Sequence, residues 1–105
     1  METKELMGFI KTEHNRLLKY YNVDEKSQLK YPMTIKIMEE LGELCDEILY
    51  ADKLQRTDKL EKRQSKLDEE FADVILTTLL LAENMDVDVM AGLKKKIETI
   101  KARNY

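Results

Sequence analysis

The same six-residue pattern occurs twice in this chain, thirty residues apart, and both copies fall inside helical spacing of apolar side chains. Glu39-Glu40-Leu41-Gly42-Glu43-Leu44 and Glu69-Glu70-Phe71-Ala72-Asp73-Val74 each read acid, acid, apolar, small, acid, apolar. A helix turns about 100° per residue, so side chains three or four apart share a face. Glu40, Glu43 and Glu47 therefore form one row, with Glu39 four before Glu43. Glu70 and Asp73 form a second row, which Thr77 extends. Each row flanks an apolar stripe. Two helices packed through those stripes would bring both rows to one edge of the packing, which points to a helix-on-helix architecture. Gly42 and Ala72 would let the two backbones approach closely, and a mid-helix glycine costs about 1 kcal/mol relative to alanine.

Punctuation along the chain supports the same class. Three glycines and one proline in 105 residues leave room for long elements and short connections. A first helix is predicted over Thr3–Tyr21 from Leu6, Phe9, Ile10, Leu17, Leu18 and Tyr21. Asn22 to Lys30 reads as a loop. Pro32 fits the first turn of a second helix, where its missing N–H costs nothing, and that helix would run to about Leu54. Its stripe is Ile37, Leu41, Leu44, Cys45, Ile48 and Leu49. Residues Gln55 to Gln64 are nearly all polar and read as a surface connection. A third helix is expected from Ser65 to Met85, with Ser65 and Asp68 in a capping-box arrangement. Asp88 reads as the N-cap of a fourth helix ending near Arg103. Lys94, Lys95, Lys96, Lys101 and Arg103 crowd its C-terminal part, where they suit the negative end of the helix dipole.

The expectation is thus one all-α domain over residues 1–105, a four-helix bundle. From Val74 to Ala82 the third helix is apolar almost all round and must be buried on every side. Three short partners from one chain are too few for that, so it is expected at the centre of a homo-oligomeric interface, dimer or tetramer. A net charge of −3, with basic residues concentrated only in the last helix, argues against nucleic-acid binding. The longest apolar run is too short to span a bilayer. A lone Cys45, read as a small core residue, and a charged N-terminus without a signal-type apolar run lead to the expectation of a cytoplasmic protein. His14 lies in a polar stretch and reads as a surface residue.

Converging carboxylates repel one another and are costly to desolvate, and a divalent cation removes that cost. A hard ion such as Mg²⁺ suits an all-oxygen set and keeps waters for substrate phosphates. Zinc is disfavoured by one cysteine on the core side and a single histidine. A di-iron bundle site is disfavoured because neither hexad continues into Glu-x-x-His. Acidic residues also occur on helices without any ion, as first-turn charges and as partners of lysines. From the residues alone, the metal site and this plainer reading stand side by side.

Glu39-Glu40-x-x-Glu43 followed by Glu70-x-x-Asp73 resembles the paired signature of MazG-like nucleotide pyrophosphohydrolases, the all-α NTP pyrophosphatase superfamily. The similarity runs through both hexads and Met85-Asp86-Val87-Asp88 into the last helix, roughly Pro32 to Arg103. It implies a MazG-like bundle that hydrolyses a nucleoside triphosphate to the monophosphate and pyrophosphate, in house-cleaning of the nucleotide pool. It implies Mg²⁺, with Mn²⁺ as a substitute, held by Glu40, Glu43, Glu70 and Asp73, and Glu39 as a further ligand or the base that orients water. The last helix is similar to a K-x-E-x-N-x-x-R run of related proteins through Lys96, Glu98 and Arg103, with Ile100 where asparagine is usual. Lys96 and Arg103 are then the expected phosphate contacts. Two alternatives accompany this reading: phosphoribosyl-ATP pyrophosphohydrolase activity within the same fold, and a non-catalytic helical oligomer that binds a protein partner.

Overall fold

A computed structural model describes residues 1–52 and 65–105. It contains four α-helices, α1 (Thr3–Tyr21), α2 (Lys30–Ala51), α3 (Leu67–Asn84) and α4 (Val89–Lys101), with a 3₁₀ turn over Lys26–Leu29 and no strand among the described residues. The first helix matches its expected bounds. It stops because Asn22 takes the left-handed conformation (φ 50°) and returns its N–H to Leu18 and Lys19. Asparagine tolerates that region better than most residues. The expected loop before α2 holds the 3₁₀ turn, closed by reciprocal bonds between Glu25 and Gln28. Pro32 lies in the first turn of α2, as its chemistry requires. The polar connection expected over Gln55–Gln64, and the predicted end of the second helix at Leu54, lie outside the described residues.

The ends of the later helices test the capping expectations. Asp88 caps α4 by accepting from the Ala91 N–H at 3.0 Å. Ser65 does not cap α3: Lys66 is the N-cap and contributes no side-chain bond. Asp68 accepts instead from the neighbouring Glu69 N–H at 2.9 Å. The acid-rich first turn of Asp68, Glu69 and Glu70 complements the helix dipole without that cap. Between α3 and α4, Asp86 adopts φ 57°, and its carboxylate is pinned by Lys26 from the 3₁₀ turn at 2.5 Å.

Helix α3 is the hub, packing extensively on α2 and also on α1. Among the described residues, Ile10, Leu29, Leu44 and Leu79 form the buried apolar core, and the polar side chains of His14, Glu40, Glu47 and Asn84 are buried with them. The expectation for His14 is thereby corrected. It is 5% exposed and shares a 2.8 Å hydrogen bond with Asn84 at the far end of α3, a partner seventy residues away that its local polar context does not reveal.

The apolar stripe expected on α2 turns inward only through Ile37 and Leu44. Met33, Ile37, Glu40, Leu44 and Glu47 face the bundle, whereas Leu41, Cys45, Ile48 and Leu49 are exposed. Cys45 is one residue, about 100°, beyond Leu44 and so falls on the outer side. Gly42 brings no backbone close in this chain, since an added Cβ there would meet nothing within 4 Å. On α3, Phe71 and Ile75 are 49% and 55% exposed. Helix α4 barely touches the other helices and leaves Leu93, Ile97 and Ile100 in the open. The Cα radius of gyration is 17.0 Å, against about 13 Å for a compact domain of this length. No described helix is long and apolar enough to cross a membrane.

Candidate metal centre and adjoining pocket

The inward-facing acids of α2 meet those of α3 near one end of their shared seam. Carboxylate oxygens of Glu40, Glu43 and Glu70 all lie within 4.8 Å of one another. The spacing explains the meeting. Glu40 and Glu43 are one turn apart on α2, and Glu70 is in the first turn of α3, which runs back against it. Glu40 is buried, Glu70 half-buried and Glu43 exposed, so the group opens from the seam toward solvent.

Electrostatics records the crowding. Glu43 is pushed above the ordinary carboxylate range, first by the hydrogen bond its protonated form makes to Glu40, then by the Glu40 charge, desolvation and the Glu70 charge. Glu70 is also raised, chiefly by desolvation and then by the charges of Asp73, Glu40, Glu47 and Glu69. Glu40 Oε2 and Glu70 Oε2 are inaccessible to solvent and have no hydrogen-bond donor when the carboxylates are ionised. One cation relieves the group from its edge: Lys36 Nζ lies 3.3 Å from both Glu39 and Glu40. These carboxylates hold the lysine firmly protonated. Crowded oxygens, two of them lacking donors, with neither sulfur nor imidazole among them, form the donor set a hard divalent cation accepts.

The other expected site residues are placed differently. Asp73 is half-buried one turn along α3 from Glu70 and outside the 4.8 Å group, and its charge reaches Glu70. Glu39 is exposed and tied to Lys36 at the rim. Lys96 lies on α4 and Arg103 just past its end, and neither is brought beside the acids of its own chain, because α4 does not pack on α2. Lys36 went unpredicted although its signal is in the sequence, at three and four residues before Glu39 and Glu40.

Beside this centre is a pocket of about 440 Å³ between α1, the 3₁₀ turn, the start of α2 and α3. Its walls are apolar, including Leu17, Leu29, Met33 and Leu80, with Glu13, Lys36 and Thr77 as polar groups. Lys36 belongs to both the pocket and the acid cluster, so the two are continuous. Glu13 also went unpredicted, and nothing in its sequence neighbourhood marks it.

Carboxylates converging from two helices of a bundle at one spot are an arrangement that can hold a divalent metal. The chain matches the model of the MazG nucleotide pyrophosphohydrolase domain over residues 28–104, and it belongs to that family. The family is typically dependent on divalent metal, and the Glu40, Glu43 and Glu70 cluster accords with this. A comparison with curated proteins and one with solved structures give no match.

Proposed function

We propose that this protein hydrolyses a nucleoside triphosphate, NTP or dNTP, to the monophosphate and pyrophosphate, with Mg²⁺ as its metal and Mn²⁺ as a substitute, in house-cleaning of the nucleotide pool. The observation that carries the reading is the convergence of Glu40, Glu43 and Glu70, with two buried oxygens that lack donors, in a chain of this family. Glu40, Glu43, Glu70 and, one turn on, Asp73 would hold the ion. When bound, it supplies charge neutralisation at the phosphate oxygens and favours attack at phosphorus.

The remaining chemistry belongs to the chain. Glu39, exposed at the rim, takes the proton of the attacking water. The water oxygen bonds the α-phosphorus as the bond to the bridging oxygen breaks, and pyrophosphate leaves. Lys36 fixes Glu39 and Glu40 together, so the base and a metal ligand keep one spacing. Lys96 and Arg103 would meet the phosphates from a second copy. The exposed apolar faces of α2, α3 and α4 support such a homo-oligomer.

The test is a panel of canonical and modified NTPs and dNTPs with Mg²⁺, phosphoribosyl-ATP included. Pyrophosphate should appear, and folded Glu43→Gln and Asp73→Asn variants should lose turnover. Orthophosphate as the product, or undiminished turnover in those variants, would sink the proposal. Turnover of phosphoribosyl-ATP alone would move the assignment to that substrate within the same chemistry.

A further inference from the structure

The pocket and the acid cluster meet at Lys36. Its side chain is part of the pocket wall, and its Nζ is 3.3 Å from a carboxylate oxygen of Glu39 and from one of Glu40. Among the described residues it is the one cation that forms an ion pair with these acids. The other polar groups of the pocket are already matched. Glu13 is paired with Arg16 at 2.9 Å, and Thr77 donates its hydroxyl to the Asp73 carbonyl at 2.8 Å. An ammonium has three N–H donors. Glu39 and Glu40 take two of them, and the lysine side chain is 53% exposed, so the third is open to a ligand.

That placement selects one part of a nucleotide. A triphosphate whose phosphates lie at the acids, and whose base and sugar enter the apolar pocket of about 440 Å³, passes Lys36 at its α-phosphate. The α-phosphate is where the nucleoside joins the phosphate chain, as Lys36 is where the pocket joins the acids. A positive charge is needed at that point. The equatorial oxygens of the transferring phosphorus carry charge in the transition state, and a fixed cation stabilises it. Lysine is suited to phosphate as a point charge. Lys96 and Arg103 are not beside the acids of their own chain, whereas Lys36 is one turn from Glu39 and Glu40 on the same helix.

We propose that Lys36 is a substrate-binding residue that donates its third N–H to a non-bridging oxygen of the α-phosphate. The proposal rests on the nucleotide reading above for the identity of the ligand. It leaves Lys36 on Glu39 and Glu40 and adds a contact to the reacting phosphate from the chain that carries the acids.

The experiment titrates dAMP, dCMP, dGMP and dTMP, and separately pyrophosphate, into the wild type, Lys36→Met and Lys36→Arg by calorimetry. Each protein is first saturated with Mn²⁺, as fixed by its own Mn²⁺ titration. Hydrogen bonds to charged groups are worth roughly ten- to hundred-fold in binding, so the monophosphate that binds best should weaken by about that factor in Lys36→Met. Lys36→Arg, which keeps the charge, should recover most of the loss. Pyrophosphate, the part of the substrate beyond the α-phosphate, should bind Lys36→Met as it binds the wild type. Undiminished monophosphate binding in Lys36→Met, or a wild type that binds no monophosphate, overturns the proposal. So does a loss that disappears once Mn²⁺ saturates the variant, which would make the lysine only a brace for the metal ligands. A loss as large for pyrophosphate places the lysine on the leaving group and also overturns it. Product binding needs no turnover, which separates this proposal from the hydrolysis reading. Monophosphate binding that depends on Lys36 upholds the contact even if no triphosphate is hydrolysed, and triphosphate hydrolysis undiminished in Lys36→Met defeats the contact alone.

Discussion

Replacing Glu40 with glutamine separates a metal centre from a merely acidic surface. The carboxylate is buried in the α2–α3 seam, one oxygen is 3.3 Å from Lys36, and the other has no donor. Glutamine preserves the shape and leaves Lys36 its second partner, Glu39 at 3.3 Å. Without metal, the variant should fold at least as well as the wild type, since one of three mutually repelling carboxylates has gone. With Mg²⁺ at about a hundred times its dissociation constant, linkage adds about 2.7 kcal/mol to the wild type. At about 4–8 °C per kcal/mol for a domain near this size, Tm rises by roughly 11–22 °C. Loss of even an outer partner of a metal site weakens affinity by about 10–100-fold. Loss of an anionic ligand should reach the upper end. At the same Mg²⁺ concentration the variant would then gain only about 0.4 kcal/mol, a shift of roughly 2–3 °C. Differential scanning fluorimetry in EDTA and in an MgCl₂ series reads both states. A wild-type Tm that neither Mg²⁺ nor Mn²⁺ moves, or a Glu40→Gln variant that shifts as far as the wild type, refutes the reasoning.

Three further outcomes are expected. The raised carboxyls of Glu43 and Glu70 make metal-free stability depend on pH, because the folded chain binds more protons than the unfolded one above the ordinary value of 4.5. Their stabilising contribution is complete below that value and is lost as pH rises through the raised folded values. In EDTA, a Glu43→Gln, Glu70→Gln double variant should therefore match the wild type near pH 4.5 and surpass it increasingly toward pH 7.5 in urea titrations; a gap that shrinks over that range contradicts the crowding. Asn84→Ala strips His14 of its 2.8 Å partner inside the bundle and should cost about 1–3 kcal/mol, and a Tm within a degree of the wild type would show that the pair is not stabilising. Ile75→Lys places a charge on the exposed apolar face of α3 and should convert an oligomer to monomers in sedimentation velocity; an unchanged sedimentation coefficient would locate the interface elsewhere.

How far the sequence discloses this structure depends on whether a feature is local. The bounds of α1, the place of Pro32 in the first turn of α2 and the Asp88 cap follow from chemistry within a few residues, and they were legible. The neighbourhood of Glu40 and Glu43 was legible for the same reason, since it is fixed by one turn of one helix. Which face of α2 turns inward was not. The series Met33, Ile37, Glu40, Leu44, Glu47 and the stripe through Leu41, Cys45 and Ile48 are both spaced at three or four residues. Hydrophobicity favours the second, yet within one chain α3 covers the first. His14 depends on a partner that only the bundle assembles, and the pocket beside Glu13 on walls from other helices, so local context misplaced one and gave no sign of the other.

That inversion on α2 bears on why the acids are where they are. A chain optimised only for stability would turn Leu41 and Ile48 inward and leave Glu40 and Glu47 in water, because each buried carboxylate must be compensated by a partner or ion. Here the leucine and isoleucine remain exposed while the glutamates enter the seam. The two choices favour each other if the outer stripe is covered by a second copy and the inner row by a cation. Association then recovers the apolar burial that the single chain forgoes, and metal binding removes the repulsion recorded at Glu43 and Glu70. Stability, oligomeric state and metal loading should accordingly move together. Ile75→Lys should lower the midpoint of thermal unfolding most when Mg²⁺ is absent, and Glu40→Gln should leave that midpoint dependent on protein concentration while cutting its response to Mg²⁺ to a few degrees.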